Sequence, residues 1–404
     1  MSALRLALLF SVLFAPAVRA EVPLDESGVQ DRILAVFQDG VPQAEQRRIV
    51  ESRGLEVLRV YGALRVVVAR SAPGKAQSLA VPLRSDPGVR HVGRDFYAKW
   101  IDASPASLQQ VPLPAVEEVL KQLPKLKPGV GREPDEVQWG VRRLNAPAAW
   151  PTNKGRGVKI AIVDTGIDPD HPEFAGRIKG GINAVDKDKP WTDDHFHGTH
   201  VAGIAAAGLD GKGVVGVAPE AYLYAVKVLD KDGSGSLGSI LGGMNWCAEN
   251  GMQVANMSLG MEQDNFLLKW GVDNLLEDGV VIVAAAGNDG KDVNFPAAYD
   301  GVIAVSALNE QDGIAEFSSR GPEVAFIAPG VKVPSTVPGG GIAAYSGTSM
   351  ATPHVTGLAA LAIAGGAQGP DAVRAALTKA AVKLDALKPE EQGAGVIDAG
   401  KIGL

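Results

Sequence analysis

The segment VKIAIVD, Val158–Asp164, sets the unbroken apolar run Ile160–Val163 between a lysine and a terminal aspartate. A strand this continuously apolar is buried on both faces, which is the habit of parallel sheets covered by helices. Working outward, YLYAVKVLD (222–230), VANMSLG (254–260), VVIVAAAGN (280–288) and GVIAVSAL (301–308) repeat the texture. Helix-like segments separate them. The pattern predicts an α/β domain over 135–404, a doubly wound, mostly parallel sheet flanked by helices. There is no fixed-period repeat, which argues against a solenoid.

Open α/β sheets collect their ligands at the carboxyl ends of strands, so Asp164, ahead of Thr165 and Gly166, is a candidate site residue. Aspartates in such turns also serve simply as caps. A second place is DDHFHGTHVAG, Asp193–Gly203, which holds His195, His197 and His200, half of the chain's 6 histidines. A metal site built on them would need a further ligand and a partner for each ring. The spacing lacks the glutamate of the His-Glu-x-x-His zinc pattern. Metal ligation and a single general base both remain open at this point. The third place is YSGTSMATPHVTGLAALAIAGG, Tyr345–Gly366, where Ser349 opens an apolar helix. Pro353 is expected in the first turn, where no donor bond is needed. A serine there is either an N-cap or a nucleophile whose developing charge feels the positive helix end. His354 is expected to be a packed structural residue. Together the three places supply an acid, an imidazole and a hydroxyl in the order Asp164, His197, Ser349.

The chain has 404 residues, 46% hydrophobic and 21% charged, enough for two folded units and a sizeable core. With 39 basic against 46 acidic residues, net charge −7 and no basic block, a nucleic-acid partner is disfavoured. Residues 1–20 run from an early arginine through the apolar Leu6–Phe14 to small residues suited to cleavage after Ala20. This is the pattern of a secretory signal, and no other stretch is long enough to span a bilayer. Export would permit disulfides, yet Cys247 is the only cysteine, so no intrachain bridge forms. Residues 32–100 read as a small α+β unit, with strands at 32–37, 63–69 and 89–95 and helices over 42–54 and 74–88. Residues 101–134 are punctuated by prolines and read as a linker.

AIVDTGIDPDHPEF, HGTHVAGI and GTSMATPHVTG resemble the three signature segments of subtilisin-like serine proteases. AAAGNDG, around Asn288, and FSSRGPEVAFIAPG, from Phe317, agree with two secondary segments of that family, and the likeness runs from about Asp135 to Gly400. The resemblance implies a secreted serine endopeptidase made as a zymogen, cutting proteins or peptides through an acyl-enzyme. Ser349 would be the nucleophile, His197 the general base, Asp164 its orienting carboxylate and Asn288 the oxyanion donor. Ser258, Leu259 and Gly260 would form one wall of the substrate cleft, with Met261 narrowing it. Ala285, Ala286 and Gly287 would form the other wall, and Asn294 the base of the primary pocket. Phe196 would touch the leaving side, His195 the rim, and His200 would be helix scaffolding. Residues 32–100 would be a ferredoxin-like propeptide, an intramolecular inhibitor. Structural calcium would sit among Asp135, Glu173 and Asp210 with the carbonyls of Gly208, Lys212 and Val214, which would place the processing cut before Asp135. The rival functions are a catalytically silent binding protein on the same fold and a metal enzyme using the three clustered histidines.

Overall fold

A computed structural model of the chain describes residues 22–101 and 136–403. The expected signal segment, Asp135 and all but the first residue of the expected linker lie outside that range.

The first unit runs β1 (Arg32–Phe37), α1 (Gln43–Glu51), β2 (Glu56–Tyr61), β3 (Val66–Arg70), α2 (Ala76–Arg84), β4 (Val89–Arg94). Its antiparallel sheet has the order β2-β3-β1-β4, the arrangement of a split βαβ fold. β1 is buried along its whole length, and the two-residue alternation of a strand explains how. Ile33, Ala35 and Phe37 pack with Ile49, Val50 and Leu83 of this unit's own helices. Leu34 and Val36 point the other way, into a core shared with Leu241, Met244 and Leu267 of the second unit. The sheet thus has two apolar faces and needs an outside partner for one of them.

The second unit contains a 7-stranded parallel sheet: β6 (Lys159–Asp164), β7 (Ile178–Asn183), β8 (Tyr222–Lys227), β10 (Val254–Met257), β11 (Val281–Ala285), β12 (Ile303–Leu308) and β13 (Val324–Pro329). Its spatial order is β13-β12-β11-β10-β6-β8-β7, so the direction of winding reverses between β10 and β6. Helices α3 (His197–Ala206), α6 (Thr348–Ala364) and α7 (Gly369–Ala380) cover one face, and α4 (Leu237–Glu249) and α5 (Phe266–Glu277) the other. β9 (Ser234–Ser236) and the hairpin β14 (Val333–Val337) and β15 (Gly341–Tyr345) lie outside the large sheet. This is the doubly wound parallel architecture expected from the apolar runs. Among the described residues, no single helix is long and apolar enough to cross a membrane.

The sheet of the first unit docks on α4 and α5. Tyr61 donates its hydroxyl to the Gly238 carbonyl at 2.9 Å, and the Trp270 indole donates to the Leu64 carbonyl at 2.7 Å. Asp95, in a buried ion pair with Arg32 at 2.9 Å, accepts the Gly238 N–H at the first turn of α4. A short arm ahead of β1 reaches the large sheet as well. Leu24 is fully buried, and its N–H donates to the Val185 carbonyl at 2.7 Å.

Candidate active site

A crevice forms outside the strand ends wherever winding reverses in a doubly wound sheet. Here that seam brings together Asp164, the last residue of β6, and Ser258, the residue after β10. The chain leaves β6 through Gly166, whose φ of +115° suits glycine; a Cβ there would lie 2.4 Å from the Trp191 carbonyl oxygen. The tight turn brings β6 against α3, of which His197 is the first residue. A Cβ on Gly198 would come within 2.1 Å of the Gly166 carbonyl oxygen, so nothing bulkier fits beside the imidazole.

Asp164 is fully buried and His197 is 4% exposed. The His197 ring donates from Nδ1 to both Asp164 oxygens, at 2.8 and 2.9 Å, which leaves Nε2 as the nitrogen with a free lone pair. That Nε2 is buried with no hydrogen-bond partner. Asp193 holds the helix entrance: one oxygen accepts from Thr199 N and Oγ1, the other from Thr165 Oγ1 and His195 N. A carboxylate at a helix N-terminus is favoured by the helix dipole. Lys227, nearly buried, donates at 2.7 Å to the Thr165 and Leu229 carbonyls and to Asp194, closing the loop from the other side. Neither Asp193 nor Lys227 stands out in the sequence, because each also bonds Thr165, which is distant along the chain.

Ser349 is the second residue of α6, in the turn whose N–H groups have no helical acceptor. The expectation for Pro353 needs correction. It is the sixth residue of the helix, in the second turn, where an N–H would normally bond the Ser349 carbonyl. Proline has none to give, and Ser258 Oγ donates to that carbonyl instead, at 3.0 Å. Ser349 Oγ in turn donates to the Ser258 carbonyl at 3.2 Å. Behind them Asn256 donates to Ser258 Oγ at 2.9 Å and accepts from Thr356 Oγ1 at 2.8 Å. His354 is packed away on the same helix, its Nδ1 bonded to the Met350 carbonyl.

Asn288 has its amide oxygen committed to Thr348, accepting from N at 2.8 Å and from Oγ1 at 3.0 Å. Asn288 lines the same cleft as Ser349, with that oxygen already occupied. A cavity of about 370 Å³ is lined here by Ser258, Leu259, Gly260, Met261, Ala285, Gly287, Asn288, Asn294 and Ser349. Ala286 differs from the expectation: it is fully buried behind this wall, with its N–H on the Val305 carbonyl. Of the other histidines, His195 is partly buried, stacks on Phe196 and accepts the His197 N–H at 3.3 Å. Phe196 also packs on Tyr345, at 4.6 Å between ring centroids. His200 is fully buried with Nε2 on the Ala343 carbonyl, and burial pushes its imidazole down to about 3. Two of the three clustered rings thus have nitrogens committed to a carboxylate and a carbonyl.

The first unit reaches this cavity through its own end. β5 (Tyr97–Lys99) pairs antiparallel with β9, and the Gly233 carbonyl accepts the Trp100 and Ile101 N–H groups at 3.1 and 3.2 Å. Gly260 N donates to the Trp100 carbonyl at 3.0 Å, so the segment lies between β9 and the residues that follow β10. Lys99, Trp100 and Ile101 line the same cavity as Ser349. Extended chain added to a sheet edge is a standard way of holding a peptide.

Around the loop after α3, Glu173 Oε2 and Glu136 Oε1 are buried without hydrogen-bond partners. Burial, then the charges of Asp210 and Glu136, push the Glu173 carboxyl up to about 7. Glu136 Oε2 accepts the N–H groups of Asp210, Gly211 and Lys212 at 2.8–3.2 Å, a contact the sequence did not suggest. Among the described residues no three His, Cys, Asp or Glu side chains group closely enough to hold an ion, so a cation here would depend on backbone carbonyls too. Orphaned carboxylate oxygens that repel one another fit a hard divalent cation.

A family model for the subtilase family matches residues 155–395. The chain is 43% identical over 279 residues to subtilisin E of Bacillus subtilis (strain 168), covering 65% of this chain and 71% of the relative. It is 47% identical over 232 residues to a subtilisin of Bacillus pumilus, covering 56% and 84%. To the minor extracellular protease Epr of Bacillus subtilis (strain 168) it is 46% identical over 239 residues, 58% of this chain but 37% of that longer protein.

Proposed function

The chain belongs to the subtilase family of subtilisin-like serine endopeptidases, and from that premise we propose that it is a secreted peptidase made as a zymogen. The observation that carries this is the end of the first unit, Tyr97–Ile101, lying as an added strand beside Ser349 and Asn288. In this reading residues 1–20 are an export signal, 32–100 an inhibitory propeptide, 101–134 a linker and 135–404 the peptidase domain.

The Ser349 hydroxyl turns from the Ser258 carbonyl toward His197 Nε2, gives up its proton there and attacks the scissile carbonyl. Asp164 holds the ring in the tautomer that makes Nε2 the base and stabilises the cation that forms. The oxyanion takes hydrogen bonds from Asn288 Nδ2 and the Ser349 N–H. His197 then protonates the leaving amine, and water hydrolyses the acyl-enzyme by the reverse sequence of proton transfers. Glu173, Asp210, Glu136 and nearby carbonyls, with Asp135, would hold calcium; bound there, it would neutralise the carboxylates and brace the loop after α3.

The test is purification of wild type beside Ser349→Ala. Wild type should lose its N-terminal unit and digest casein, while Ser349→Ala stays full length and inert. Self-processing by Ser349→Ala in the absence of other proteases would overturn the mechanism. A silent binding protein would leave both chains intact.

A further inference from the structure

Tyr97, at the start of β5, donates its hydroxyl to Asp230 Oδ2 in the turn that leads into β9. Asp230 is fixed before the phenol arrives: its Oδ1 accepts the N–H groups of Asp232 at 2.8 Å and Ser234 at 3.1 Å, and its own N–H donates to the Ser234 carbonyl. The same turn carries Gly233, whose carbonyl takes the Trp100 and Ile101 N–H groups. One rigid turn therefore holds both the main chain of the segment and one of its side chains. Three residues after Tyr97, Trp100 is 2% exposed, and its indole donates to the Gly235 carbonyl at 2.9 Å. Lys99, between them, is exposed. Burial and the facing carboxylate keep the Tyr97 phenol protonated, and so a donor. A phenylalanine in its place would leave Asp230 Oδ2 without that donor in a half-buried setting. An unpaired polar group of this kind discriminates more strongly than a change in apolar size.

We infer that Asp230 is a specificity-determining residue of the cleft, selecting polypeptides with a tyrosine three residues ahead of a large aromatic residue seated as Trp100 is. This rests on the peptidase reading and makes it specific: the preferred substrates carry a phenol upstream of the bond cut, matched to a carboxylate that the fold holds ready.

Two measurements test it. Processed wild type is given quenched peptides carrying the sequence of residues 96–105 with tyrosine or phenylalanine at the place of Tyr97. The tyrosine peptide should be favoured about tenfold in kcat/KM, as for one hydrogen bond to a charged group. Asp230→Asn, which keeps an oxygen for the Asp232 and Ser234 N–H groups, should lose most of that preference. Independently of activity, hydrogen exchange of the Trp100 and Ile101 amides is followed in full-length Ser349→Ala. Tyr97→Phe and Asp230→Asn should each speed exchange, and the double variant should go no further than either single one. Casein digestion with equal use of both peptides, or additive effects on exchange, overturns the inference and leaves the peptidase reading standing. A wild-type chain that digests nothing overturns the reading beneath it, while the exchange cycle still decides the Tyr97–Asp230 contact.

Discussion

Ser349 and Ser258 are cross-bonded: each hydroxyl donates to the other's carbonyl, at 3.2 and 3.0 Å. The pairing follows from Pro353, which cannot supply the N–H that the Ser349 carbonyl would otherwise take within the helix. Ser258→Ala should therefore destabilise the chain by about 1–3 kcal/mol, since buried groups lose their partners. Adding Pro353→Ala restores an N–H, so the double variant should be more stable than the sum of the single effects predicts. Chemical denaturation of all four proteins measures the coupling; strict additivity would refute the substitution of one donor for the other.

Asp164→Asn should keep the site's shape but favour the wrong imidazole tautomer, lowering kcat by about 10⁴-fold. Asn288→Asp retains the oxygen that holds Thr348 while replacing the donor in the cleft. Its kcat should fall by about 100- to 1,000-fold, the size seen when the matching donor is removed from a subtilisin. KM should change little in both, and steady-state kinetics on a single peptide gives the answer. A loss confined to KM would place these groups in substrate binding alone.

His200 and His354 are fully buried, and burial pushes their imidazoles down from 6.5 to about 3 and about 4. The unfolded chain therefore binds more protons across that window, and stability should be full above 6.5 and lost as pH falls toward 4. His354→Gln should flatten this acid slope relative to wild type, whatever it does to stability at neutral pH. Thermal melts of Ser349→Ala proteins, which cannot digest themselves, measure it. An unchanged slope in His354→Gln would mean that other groups govern acid unfolding.

Calcium should raise the melting temperature of full-length Ser349→Ala, by mass action on the folded state. A chelator should reverse it. Glu173→Gln removes one of the orphaned carboxylates and should shrink the calcium-induced rise by more than half. Equal rises in both proteins would place any calcium elsewhere.

Leu24→Ala empties a fully buried site in the arm that meets Val185. In the unprocessed Ser349→Ala chain it should cost about 2–5 kcal/mol. Activity and melting temperature of the processed enzyme, which no longer carries the arm, should be unchanged. A processed enzyme destabilised to the same degree would show that the arm stays bound after cleavage.

The apolar runs of β6, β8, β10, β11 and β12 are legible because both faces of those strands are buried. β7, IKGGIN, is not: it is an edge strand with two glycines, and its pairing with β8 supplies what its side chains do not. β2, EVLRVY, escapes notice because an exposed glutamate and a buried arginine blur its alternation. Asp164, His197, Ser349 and Asn288 lie in recognisable local patterns. Asn256, Lys227, Glu136 and the Tyr97–Asp230 pair do not, since each depends on a partner brought near only by the folded chain. Pro353, expected to be harmless in a first turn, instead shapes the surroundings of Ser349.

The seam between β6 and β10 also joins groups that are made at different times. A chain grows from its N-terminus, so the segment that fills the cleft and the strand bearing Asp164 leave the ribosome long before α6. Of the three side chains Asp164, His197 and Ser349, the hydroxyl is made last. Every incomplete chain that ends before Ser349 thus lacks that hydroxyl, whatever else of the crevice it has made.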